Sequence, residues 1–247
     1  MNKSDKLDNY LIIIDNIMTR YNLNMEEKEE LTSLIYHIIK HKEFKRRMTD
    51  EFPHHGKTTL GEHILEDTII TYIICKKKQR KGKKIDLMLA ISIALMHDLY
   101  TEPWQNNPNK SKKFSNSHGF RHPIEAVINA ISWYPEVFKE SADQYALIDG
   151  IIHHMYPFPA GYFKNAKKNN LELKNFKKIK RIDKKYLDMI ILSTKRGRFG
   201  PYSIAKATTL EGRIVSKADK IASSRDFDSV QSVIACLGIR KRNFRRN

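Results

Sequence analysis

The chain has 247 residues, with 45 Lys+Arg against 28 Asp+Glu and a formal net charge of +17. Its 40% hydrophobic and 10% aromatic content is enough for a core and excludes wholesale disorder. The longest apolar run, Leu87 to Met96, is about half the roughly twenty residues that a membrane-spanning helix needs.

Helical periods dominate in chain order, and no alternating strand with hairpin signals stands out. Residues 5–20 carry Leu7, Leu11, Ile14, Ile17 and Met18 at helical spacing. Asn24 before Met25-Glu26-Glu27 reads as an N-cap with an acidic first turn, opening a helix that runs to about Arg47. Further helices are expected over 59–75, 85–98, 123–132, 141–154, 186–195, 209–223 and 228–237, with Pro and Gly mostly between them. The apolar block Leu11–Ile14 is too short for a signal peptide, and the two cysteines, Cys75 and Cys236, make neither a disulfide framework nor a cysteine-rich zinc site. A reducing cytoplasm is the default expectation.

Four stretches are basic. Lys76–Lys84 has seven Lys/Arg in nine positions, and Arg240–Asn247 five in eight. Lys110–Lys113 is short, and Lys164–Lys185 is long and rich in Lys and Asn. Such runs are either solvated surface or, where they converge, a field that attracts phosphates.

Eight of the ten histidines lie between positions 54 and 154. His63 falls on the inward face of the 59–75 helix, following Leu60 by three and preceding Ile70 by seven. It reads either as a hydrogen-bonded core residue or as a ligand, with Asp67 one turn on as a carboxylate that could orient it. His97-Asp98 ends a helix that is apolar on nearly every side. Buried charge there must be satisfied, by a His–Asp hydrogen bond or by a metal, unless the helix end reaches the surface. Asp219 sits at the edge of the stripe formed by Leu210, Ile214, Val215, Ala218 and Ile221, where it either pairs with Lys220 or Arg213 or serves as a ligand. His122 precedes Pro123 and so falls near the N-cap of the 123–132 helix. His153-His154 closes the 141–154 helix, as a surface pair or as ligands. His37 and His41 are read as surface or packing residues.

The ordered set His63, His97-Asp98 and Asp219, over residues 51–225, resembles the HD superfamily of metal-dependent phosphohydrolases. The phrases His54-His55-Gly56-Lys57-Thr58-Thr59 leading to Glu62-His63, Ala94-Leu95-Met96-His97-Asp98-Leu99-Tyr100, Ile151-Ile152-His153-His154-Met155-Tyr156-Pro157 and Ile214-Val215-Ser216-Lys217-Ala218-Asp219-Lys220 carry the likeness. His122 and His153-His154 are similar to the extra ligands of members that hold two metals.

The resemblance implies an all-α fold, a helical bundle with the ligands on several helices around one cleft. An N-terminal helical segment (1–50) would precede the core (51–225), and a C-terminal helix with a basic tail (226–247) would follow it. His63, His97, Asp98 and Asp219 would hold a first metal, and Asp98 would bridge to a second held by His122, His153 and His154. The imidazole-rich set suits iron, manganese or another divalent transition metal rather than calcium or magnesium. There are departures. No Lys follows the His-Asp pair, Glu102 stands one position beyond where some nucleotidases carry an acidic residue, and the motif Gly-Tyr-Pro is reduced to Met155-Tyr156-Pro157.

The implied activity is hydrolysis of a phosphate ester of a nucleotide or similar phosphorylated metabolite, by attack of metal-activated water. Asp98, His97 and His118 are the catalytic candidates, and His55, Lys57, Arg121 and Lys220 the substrate contacts. Trp104 is read mainly as loop packing, with base stacking as the alternative. Two alternatives use other features: a phosphodiesterase or nuclease acting on cyclic dinucleotides or single-stranded nucleic acid through the basic surface, and a non-catalytic basic binding module. The N-terminal segment would cap the core or form a homodimer contact.

Overall fold

The computed structural model describes residues 3–54, 58–103, 118–161, 163 and 178–226. The helix expected over 228–237, Cys236, Trp104, His55, Lys57, the Lys110–Lys113 run, most of Lys164–Lys185 and the basic tail lie outside these residues.

The fold is predominantly helical, as the periodicity predicts. The chain opens with α1 (Lys3–Arg20) and α2 (Met25–Ile39). Asn24 and Glu27 close a reciprocal capping box, with Asn24 Oδ1 accepting the Glu27 amide at 2.9 Å and Glu27 Oε2 accepting the Asn24 amide at 3.2 Å. The helix expected to continue to Arg47 is broken. α3 (Lys42–Arg47) starts afresh behind His41, whose Nδ1 accepts the Glu43 amide. No Gly or Pro announces the break, because an imidazole supplies the cap.

Helix α4 (Leu60–Gln79) begins at a second capping box, made by Thr59 and Glu62. It is buried from Leu60 to Tyr72 except at the half-buried Glu62, and reaches solvent in its basic last turn. Helix α5 (Leu87–Met96) is capped by Asp86, whose own amide donates to Glu211 at 2.9 Å. Every residue from Leu89 to Met96 is buried, at roughly 2 kcal/mol for each large aliphatic side chain.

Helix α6 (His118–Trp133) starts a turn earlier than expected, so His122 is not its N-cap and Pro123 lies inside it. Pro123 lacks the amide that would donate to the Gly119 carbonyl, and its ring crowds that carbonyl. Pro135 opens a separate short α7 (Pro135–Glu140), and Asp143 caps α8 (Gln144–Ile152), so the helix expected over 141–154 begins later and ends sooner. Helices α9 (Lys184–Lys195) and α10 (Leu210–Asp226) complete the described bundle.

Three two-residue strands depart from the strandless expectation. They are β1 (Ala160–Gly161), β2 (Arg198–Phe199) and β3 (Tyr202–Ser203), antiparallel in the order β1-β3-β2. Gly200, at φ +56°, makes the turn between β2 and β3. Strands this short leave no alternation to read.

Helix α4 packs against both α5 and α10, and α8 packs against α5, α6, α9 and α10. Close approach of α8 depends on Gly150. A Cβ there would lie 2.5 Å from Ile93 Cδ1, and the Gly150 Cα itself stands 3.1 Å from where a Cβ on Gly212 would be. Ile14, Ile17, Leu31 and Ile38 of the N-terminal helices belong to the same hydrophobic cluster as Ile64, Leu95 and Ile148. This packing brings the ends of α5 and α8, the first turns of α4 and α6, and the middle of α10 to one place.

Candidate metal centre

Six side chains converge there: His63 from α4, His97 and Asp98 from the end of α5, His122 from α6, His154 from the turn after α8, and Asp219 from α10. All are at most 6% exposed. Asp98 lies at the middle. Its Oδ2 is 3.9 Å from His63 Nε2 and 3.6 Å from His97 Nε2, while its Oδ1 is 3.2 Å from His122 Nε2 and 3.6 Å from His154 Nε2. Asp219 Oδ1 completes the first side, 3.4 Å from His63 Nε2 and 3.8 Å from His97 Nε2. On the second side, His122 Nε2 and His154 Nε2 are 3.1 Å apart. Ligands about 2.0–2.2 Å from a shared ion stand about 3–3.5 Å from one another, so these spacings suit a metal with little adjustment.

The far nitrogens of three rings are anchored. His97 Nδ1 lies 2.7 Å from Ala94 O, His154 Nδ1 2.7 Å from Ile151 O, and His122 Nδ1 3.2 Å from His118 O. A carbonyl only accepts, so each Nδ1 carries its hydrogen and each Nε2 turns a lone pair to the centre. The turn after Asp98 is held from three directions. Arg47 donates to Tyr100 O, Asn129 to Leu99 O at 2.6 Å, and the Thr101 amide to Glu125 at 3.0 Å.

The electrostatics favour a cation. Burial pushes the Asp98 carboxyl up, but His97 and His122 outweigh it and hold it well below the usual carboxylate range. Burial likewise opposes ionisation of Asp219 and is overcome by the hydrogen bond from His63 and by His97. Burial, with the charges of His97 and His122, pushes His154 down to about 3, which keeps it a neutral ligand. His122 moves upward because Asp98 outweighs its burial. Two imidazole lone pairs 3.1 Å apart beside two carboxylates call for a proton on His122 or a metal ion between them.

Several expectations are corrected. His153 is not at the centre. Its Nε2 lies 3.2 Å from Ser193 Oγ and 3.5 Å from Asp149 Oδ1, on the side facing α9. The Ile151 carbonyl anchors His154 toward Asp98, while His153 turns to Ser193 and Asp149. Asp67, expected to orient His63, lies beside His97, with its Oδ2 3.4 Å from His97 Nδ1. Burial, partly offset by His97, raises the Asp67 carboxyl to about 8.

His118 is half-buried, stacked on His122 at 4.9 Å and edge-on to Tyr100 at 4.7 Å. Arg121 is half-buried beside His122. Lys220 folds back onto its own helix, with Nζ 2.5 Å from Ser216 O and 2.9 Å from Ser216 Oγ. His54 was not expected at the centre, yet its ring stacks on His63 at 4.0 Å and 26°. The pair His54-His55 marks the spot, but the sequence does not say which of the two belongs to the centre.

Fold and site together define a helical protein with buried His/Asp groups able to hold a metal, an arrangement compatible with an HD-like core. Comparison with family models, with curated proteins and with solved structures finds no match.

Proposed function

We propose that the protein is a metal-dependent phosphohydrolase that cleaves a phosphate ester of a nucleotide or similar phosphorylated metabolite. The observation that carries this reading is the division of Asp98, one oxygen facing His63 and His97 and the other facing His122 and His154. This division supports two neighbouring cation positions joined by one carboxylate.

His63, His97, Asp98 and Asp219 would hold the first ion, and Asp98, His122 and His154 the second. The donor set of imidazoles and carboxylates favours iron, manganese or a similar divalent metal. Bound there, such ions supply Lewis acidity, lowering the pKa of water and offsetting charge on the phosphoryl oxygens. The chain's own residues do the rest. The carbonyls of Ala94, His118 and Ile151 fix the rings before substrate arrives, so no reorientation is needed during the reaction. His118, half-buried and stacked on His122, would hydrogen-bond a phosphoryl or leaving-group oxygen.

Anaerobically purified protein is expected to contain a transition metal and to hydrolyse at least one member of a panel of mononucleotides, cyclic dinucleotides, guanosine alarmones and short single strands. Asp98→Asn should lower that activity at least 100-fold, since it weakens both cation positions. Absence of metal together with absence of turnover across the panel would overturn the proposal. A second reading, cleavage of single-stranded nucleic acid, is favoured by the end of α4. Lys76 and Arg80 pair there with Glu30 and Glu27, while Lys77, Lys81, Lys83 and Lys84 are close by in a strongly basic turn. That reading requires oligonucleotide cleavage that weakens steeply with salt.

A further inference from the structure

We propose that His54 is itself a metal ligand, added at the end of the centre formed by His63 and Asp98. The proposal rests on the reading that the centre binds metal. His54 has a nitrogen within 4.8 Å of the ligand atoms of both His63 and Asp98. Its ring lies nearly parallel to that of His63, 4.0 Å away, so the two imidazoles can direct in-plane nitrogens to the same side. Ligands next to each other on one ion, each about 2.0–2.1 Å from it, stand about 3–3.4 Å apart, and stacked rings accommodate that spacing.

The position of His54 is built by the backbone. The His54 amide donates to Thr58 O at 2.9 Å, and the Leu60 amide to Phe52 O at 2.8 Å. Pro53 pairs antiparallel with Thr59 across the same turn. The hairpin therefore ends in the Thr59 cap of α4, one turn before His63. The cap that starts the ligand-bearing helix also holds His54 over its first histidine. At 9% exposure His54 is the most accessible member of the cluster, the others lying between 0 and 6%. A fifth imidazole moves the donor set further from magnesium and calcium and toward first-row transition metals.

A purely packing role for the stacked ring is the competing account, and His54→Phe separates the two. Phe keeps an aromatic ring over His63 and offers no lone pair. Chelator-treated full-length protein would be titrated calorimetrically with Mn(II). Co(II) binding would be followed by its visible absorption, and circular dichroism would confirm the fold. If His54 is a ligand, His54→Phe and His54→Ala both weaken Mn(II) binding at least tenfold and change the Co(II) spectrum, and added imidazole restores part of the loss in His54→Ala. Should His54→Phe fold poorly, His54→Gln makes the same comparison. Wild-type affinity and spectrum in His54→Phe would overturn the proposal while leaving the metal centre standing. Failure of the wild-type protein to bind either metal would overturn both.

Discussion

Asp149→Asn is expected to destabilise the protein by about 3 kcal/mol at neutral pH, and by less as the medium is made acid. Asp149 is fully buried on α8, and its carboxylate joins three stretches of chain. Oδ1 accepts from Ser193 Oγ at 2.7 Å and from Arg196 Nη1 at 2.5 Å. Oδ2 accepts from the Thr208 amide at 2.7 Å and from Thr208 Oγ1 at 2.9 Å. An asparagine has one acceptor atom, so one of these pairs loses its partner. A hydrogen bond to a charged group contributes about 1.5–3 kcal/mol, and a buried donor left unmade adds its desolvation cost. Arg196 is partly exposed, which lowers its share and keeps the sum near 3 kcal/mol. For a chain of this size that corresponds to a melting temperature lower by about 6–12 °C.

The sign of the pH effect follows from the direction of the shift. Burial pushes the Asp149 carboxyl up, but His153 and the hydrogen bonds from Thr208, Ser193 and Arg196 outweigh it and hold it below its ordinary value. The unfolded chain therefore takes up a proton near pH 3.9, before the folded one does. Stability from this group is full above that pH and drains as pH falls through the folded value. Urea unfolding of chelator-treated wild-type and variant protein, followed by circular dichroism from pH 7 to pH 3, measures the gap. A gap below about 1 kcal/mol at pH 7, or one that stays constant into acid, would refute the reasoning.

His154→Ala should weaken Mn(II) binding at least tenfold. His153→Ala should keep the metal stoichiometry and lose about 1–3 kcal/mol of stability from the Ser193–Asp149 contact, and calorimetric titration giving the reverse order would show the turn to be wrongly oriented. Gly150→Ala should cost about 1–3 kcal/mol by overpacking against Ile93. Adding Ile93→Val, which deletes the Cδ1 atom 2.5 Å from the new methyl, should restore part of that loss, and strict additivity in this double-mutant cycle would count against the close contact. Mn(II) at 100 times its Kd should raise wild-type stability by about 2.7 kcal/mol, and Asp98→Asn should lose that increment in a thermal melt.

What the sequence made legible follows the range of the forces involved. Helix starts with local caps could be read, as Asn24 shows, since its partner Glu27 is three residues away. The inward placement of His63 could be read from helical spacing, and the burial of α5 from its unbroken apolar face. Orientation could not. Whether His153 or His154 turns to Asp98 depends on the Ile151 carbonyl and on Ser193, which lies 40 residues on. Asp67 was expected beside His63 on its own helix, but it meets His97 because α5 packs across α4 at that level. The break at His41 is not legible in the sequence because histidine is an unusual cap. The start of α6 lies before the point that Pro123 suggests, because a proline more often begins a helix than lies inside its second turn.

The centre draws its order from helix ends. An α-helix leaves its last four carbonyls without intrahelical donors. Ala94 lies in the last turn of α5 and Ile151 in the last turn of α8, and each of these carbonyls is met by the imidazole three residues further on, His97 and His154. One hydrogen bond thereby does two jobs. It satisfies a carbonyl that burial would otherwise leave unmade, and it selects the tautomer whose Nε2 lone pair faces Asp98. Since α5 and α8 also pack against each other around Gly150, the spacing of the two rings is set by helix packing rather than by loop conformation. Ring contact between His97 and His154, at 4.8 Å between centroids, is then a consequence of how closely those helices approach. A change that pushes α8 away from α5 should therefore weaken metal binding even though it touches no ligand.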